Sequence, residues 1–71
     1  MNRTKFRKAL SQLDLSQARA GELVGRDART ARRWAATGLP PEAAIVFQLL
    51  LDGKITMADV EDARERANRG R

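Results

Sequence analysis

The chain has 71 residues, 14 Lys and Arg against 9 Asp and Glu for a net charge of +5, 42% hydrophobic residues, and neither cysteine nor histidine. That length gives room for one small domain with one core. Without cysteine there is no disulfide and no thiolate metal site, and without histidine the commonest metal ligand and general base is missing, so no metal and no cofactor is expected.

No apolar run approaches the length of a membrane span, and the basic start Met1 to Lys8 is not followed by the apolar stretch of a signal peptide. A cytoplasmic protein without a membrane partner is the expectation. Residues 1 to 33 hold nine basic and three acidic residues, whereas residues 34 to 71 hold five basic and six acidic ones. The positive charge therefore belongs to one half of the chain, as in a domain that turns a single side toward a polyanion.

Residues 3 to 13 read as a first helix, with Phe6, Ala9, Leu10 and Leu13 at the spacing of one apolar face. Arg3, Lys5, Arg7 and Lys8 are left outside it. Each of them taken singly reads as solvated surface.

Ser16 is an N-cap signal, and a helix from Gln17 to about Val24 follows, with Ala20, Leu23 and Val24 facing inward. Gly25 stands where that helix must stop, because a glycine accepts the left-handed conformation. Asp27 offers a second N-cap. The next helix, Ala28 to Thr37, ends before Gly38, and Leu39-Pro40-Pro41 cannot continue it. With Ala31 at the centre of its inner face, rotation of about 100° per residue puts Ala28, Trp34 and Ala35 on the same side and Arg29 and Arg33 opposite. Arg26 and Arg32 flank them, with no acid inside the helix. Such a face repels itself unless an anion is present.

A helix-turn-helix supplies that anion, because its second helix enters the major groove between two phosphate backbones. Gly21 suits the same geometry, since steeply crossing helices need a small residue where their backbones approach. Trp34 reads as core: one isolated aromatic is not the interleaved aromatic and basic surface that stacks on single strands.

Leu15-Ser16-Gln17-Ala18, the small Ala20-Gly21, Leu23-Val24-Gly25 and Arg29-Thr30-Ala31-Arg32-Arg33-Trp34 together resemble the lambda-type helix-turn-helix repressors, the Xre or Cro/cI family. The resemblance covers Leu10 to Gly38 strongly and the helix after Pro41 more weakly. Arg26 stands where the family usually has an aliphatic residue, and Ala31 where it usually has Val or Ile; both thin the local core. The resemblance implies an all-α, five-helix bundle containing a helix-turn-helix. It also implies base-reading roles for Ala28, Arg29 and Arg33, and a phosphate contact for Gln17. Arg26, Arg32 and Arg7 are the further phosphate-contact candidates, because backbone phosphates supply most of the salt-dependent affinity of such proteins.

A fourth helix opens at Pro41, where a missing N–H costs nothing, and closes at Gly53. Eight of the nine residues from Ala43 to Leu51 are apolar, which wraps more than one face. If Ile45, Val46, Leu49 and Leu50 pack on Leu10, Leu13, Leu23 and Trp34, then Phe47 and Leu51 are left over. Either a fifth helix covers them or they form a two-fold dimer interface. Thr56 and Asp59 spell a capping box for a last helix, Met57 to about Ala67, with Met57, Val60 and Ala67 as its apolar stripe. Its acids, Asp59, Glu61, Asp62 and Glu65, are interleaved with Arg64, Arg66 and Arg69 and read as surface ion pairs rather than as a metal site. Residues 1–67 thus form a single domain, and residues 68–71 lack an apolar anchor and should fray.

No nucleophile, base and orienting group recur at a useful spacing and no phosphate-binding loop follows a strand, so the chain reads as non-catalytic. The expectation is a regulator, a repressor that binds double-stranded DNA at a palindromic operator as a homodimer. The alternative is a protein-interaction module of antitoxin or adaptor type that holds a partner through the fourth helix. RNA binding through the arginine-rich helix ranks last, because the Gly25 turn and the two caps suit a rigid motif.

Overall fold

The structure, a computed structural model, describes residues 1–70. It contains five helices in chain order: α1 (Arg3–Leu13), α2 (Gln17–Leu23), α3 (Ala28–Thr37), α4 (Pro41–Leu51) and α5 (Met57–Arg69), with no strand among the described residues. No single helix is long and apolar enough to cross a membrane.

Local chemistry sets the boundaries. The side chains of Asn2, Ser16, Asp27 and Thr56 each accept the backbone N–H three residues on, satisfying a donor that a helix start leaves free. Thr56 and Asp59 complete the predicted capping box in both directions. At the end of α2, Gly25 has φ +75°; its N–H reaches the Glu22 carbonyl at 3.0 Å, and the Arg26 N–H reaches the Gly21 carbonyl at 2.8 Å. This pair of bonds is the Schellman closure, and it turns the chain sharply before Asp27 starts α3. The same closure ends α1 with Asp14 in the left-handed region at φ 56°, a conformation that short polar side chains tolerate. At the other end α5 runs on to Arg69, so Asn68 and Arg69 are helical rather than frayed; the last residue of the expected tail, Arg71, lies outside the described residues.

Phe6 of α1 is the hub of the core. Its ring meets Trp34 of α3 edge-on at 6.1 Å between centroids and Phe47 of α4 at 5.6 Å. Phe6, Phe47 and Leu23 are the largest fully buried side chains, and Leu10, Ala20, Ala35, Leu39, Ala43, Leu50 and Val60 close around them. Trp34 is buried, in line with its core reading. Helices α2 and α3 approach each other closely at Gly21. A Cβ built on Gly21 would lie 2.9 Å from the Ala31 Cβ and 2.9 Å from the Asp27 carbonyl oxygen, so only glycine allows this crossing.

The fourth helix corrects the sequence expectation. Phe47 is fully buried and Leu51 half-buried, so Phe47 cannot belong to an exposed dimer surface. Ala43, Phe47 and Leu50 face inward instead, while Ile45 is 60% exposed and Leu49 36%. The reason is that a helix apolar all round carries no phase of its own. Phe6 and Phe47 meet in an edge-to-face pair, and burying a phenyl ring removes more apolar area from water than burying an aliphatic chain.

The candidate nucleic-acid interface

Asp27 anchors the start of α3. Its carboxylate accepts the Thr30 N–H at 2.8 Å, and this hydrogen bond, helped by the Thr30 side chain and the charges of Arg29 and Arg32, holds its pKa below the ordinary value of 3.8. Asp27 is also the only acid between Glu22 and Glu42.

Arg26 in the turn and Arg29, Arg32 and Arg33 on α3 are all exposed. The ion pairs among the described residues are Arg19–Glu22, Arg19–Glu61, Arg66–Asp62 and Arg69–Glu65, so none of these four guanidinium groups is paired. Four unpaired cations therefore converge on the outer side of a helix whose inner side, Ala31, Trp34 and Ala35, is buried. Ala28 and Gln17 are half-buried at the first positions of α3 and α2. Arg26 lies in the turn and Ala28, Arg29, Arg32 and Arg33 on the helix that follows it, the four arginines exposed and Ala28 half-buried.

Arg7, exposed on α1, also makes a contact within the fold. Its Nε donates to the Ala35 carbonyl at 2.9 Å across a partly buried contact, so this side chain ties α1 to the last turn of α3. A second arginine performs the same service for α2: the Arg64 guanidinium donates to the Glu22 carbonyl, and Arg19 pairs with Glu61, which together hold α5 on α2. Helices α2 and α3 therefore each have a C-terminal carbonyl capped by an arginine from another helix, a favourable place for a cation. By its spacing along α5, Arg64 reads as a partner in surface ion pairs. Those pairs do form at Arg66–Asp62, 3.2 Å, and at Arg69–Glu65, 2.5 Å, but the partner of Arg64 is backbone 42 residues away, which no local spacing signals.

No family model matches this chain, and comparison with curated proteins and with solved structures returned no significant match.

Proposed function

We propose that the chain is a sequence-specific DNA-binding regulator of the lambda-type helix-turn-helix kind, non-catalytic, which represses by occupying a palindromic operator as a homodimer. The observation that carries this reading is the set of four exposed, unpaired arginines on and beside α3, a helix packed through Gly21 against α2. In it, α2 lies across the backbone and α3 enters the major groove. Arg29 and Arg33, opposite the buried face, reach base edges, where a forked guanidinium suits the O6 and N7 acceptors of guanine. Ala28, small and apolar, suits a thymine methyl. Gln17, Arg26 and Arg32 lie outward of these and contact phosphates, which set register and carry no sequence information. Arg7 braces α3 through its Nε bond to the Ala35 carbonyl.

The test is selection from a random-sequence duplex pool, followed by affinity against salt. Convergence on a palindrome containing G·C pairs is expected, with Arg29→Ala and Arg33→Ala each losing about 1–3 kcal/mol of discrimination at one base pair. Arg26→Ala and Arg32→Ala should instead weaken all sequences alike and reduce the salt slope by about 0.9 each. Enrichment of sites made only of A·T pairs, or no enrichment at all, would refute the assignment of Arg29 and Arg33.

A second reading, a protein-interaction module of antitoxin or adaptor type, draws on the exposure of Ile45 and Leu49 on α4. A partner that copurifies in fixed ratio and shields Ile45 would favour it over the operator reading.

A further inference from the structure

Helix α3 is held by a different neighbour in each half. Against its first half lies Gly21 of α2, where an added Cβ would stand 2.9 Å from both the Asp27 carbonyl oxygen and the Ala31 Cβ. Against its second half lie α1 and the two residues before it. The Trp34 ring meets Phe6, and the Ala35 carbonyl accepts from Arg7 Nε at 2.9 Å. Just past the helix end, the Leu39 N–H donates to the Met1 carbonyl at 2.9 Å.

The last two bonds are a single exchange. Had α3 continued, the Leu39 N–H would have closed on the Ala35 carbonyl four residues back. Gly38 has φ +103°, a region that residues with a side chain rarely adopt, and it turns the chain so that this N–H meets Met1 instead. The carbonyl so released takes the Arg7 guanidinium. Space enforces the arrangement: a Cβ on Gly38 would lie 3.1 Å from the Met1 carbonyl oxygen and 3.4 Å from the Asn2 Cα. The segment is anchored in its turn, because Met1 packs against the core and Asn2 caps α1 by accepting the Lys5 N–H at 2.8 Å.

We propose that Met1–Arg7 forms a clasp that positions the second half of α3 for base reading, with Arg7 and Gly38 as its positioning residues, so that Arg33 depends on it and Arg29 does not. Arg29 lies between Asp27 and Ala31, the two points that Gly21 fixes. Arg33 lies beyond them, about 6 Å further along the helix axis than Arg29, in the half that α1 holds. The Phe6–Trp34 contact is apolar and tolerates small shifts, whereas the two hydrogen bonds weaken steeply when misaligned and so fix the helix end. A guanidinium that must meet two guanine acceptors at once needs that restraint. The consequence for base reading rests on the operator reading, but the clasp itself can be tested without DNA.

Hydrogen exchange of the wild-type chain tests the clasp. The Leu39 amide lies outside every helix, yet it should exchange as slowly as a core amide such as that of Trp34, and rapid exchange would overturn the inference. In Gly38→Ala its protection relative to the Leu23 amide should fall about tenfold, the size of one hydrogen bond's net contribution. On the selected operator, Gly38→Ala and Arg7→Ala should each lose about tenfold in discrimination at the base pair that Arg33→Ala identifies, and less than about twofold at the Arg29 pair. The salt slope should stay at the wild-type value, since no phosphate contact is touched. Arg7→Ala, which adds no Cβ and strains no backbone, decides the matter if Gly38→Ala does not fold. Equal losses at the two pairs, or none at either, would overturn the positioning role while the operator reading stands. A protected Leu39 amide in a chain that selects no operator would refute the operator reading, and with it the role in base reading.

Discussion

Gly21→Ala separates two opposed effects of known size. In an unhindered helix the added methyl would stabilise by about 1 kcal/mol through helix propensity. Here the new Cβ would stand 2.9 Å from both the Ala31 Cβ and the Asp27 carbonyl oxygen. Neither obstacle is the free end of a flexible side chain. One is a Cβ in the buried face of α3, and the other is backbone at its N-cap, held by the hydrogen bond to Thr30. Relief requires α2 and α3 to move apart by several tenths of an ångström, which loosens their packing. Overpacking of this kind costs about 1–3 kcal/mol, so against the propensity gain a net loss of about 1 kcal/mol is expected. For a domain of this size that lowers Tm by roughly 4–8 °C. The assay is thermal unfolding followed by circular dichroism and by the fluorescence of Trp34, the only tryptophan. A Gly21→Ala protein as stable as wild type, or more so, would mean that propensity wins and that the helices do not approach as closely as described.

The rotation of α4 predicts that Phe47→Ala loses about 3–5 kcal/mol, much of the total for a chain this short, whereas Ile45→Ala stays within about 0.5 kcal/mol in the monomer; urea unfolding compares them, and the reverse order would restore the face first expected. For Asp27, whose pKa is lower folded than unfolded, the folded state binds fewer protons near pH 4. Its contribution is therefore fully present above the ordinary carboxylate value and lost as pH falls through the folded one, so the wild-type Tm should drop more steeply below about pH 4 than that of Asp27→Asn, which keeps a capping oxygen but cannot titrate. Equal slopes would show that the carboxylate is not engaged. Arg7→Ala should lower stability by about 1 kcal/mol through the lost bond to the Ala35 carbonyl while leaving the salt slope of DNA binding unchanged; a slope reduced as in Arg26→Ala would return Arg7 to the phosphate contacts.

Most of the architecture was legible in the sequence because its signals are local. Ser16, Asp27 and Thr56 can each satisfy a free N–H within three residues, Gly25 can adopt a positive φ, and Pro41 can open but not continue a helix. These are properties of a residue and its immediate neighbours, so element boundaries follow from them without any knowledge of packing. The arginine face was legible for the same reason: α3 has a strongly apolar side, Ala31, Trp34 and Ala35, which sets its phase and sends Arg29 and Arg33 outward.

The tertiary structure decided what periodicity leaves open. Helix α4 is apolar all round, so only the position of Phe6 could choose Phe47 over Ile45 and Leu49 for the core. Arg7 and Arg64 looked like any exposed cations until the fold carried the Ala35 and Glu22 carbonyls within reach, 28 and 42 residues distant in sequence. A long, flexible charged side chain takes its role from whatever the fold places beside it, whereas a cap takes its role from its own next turn.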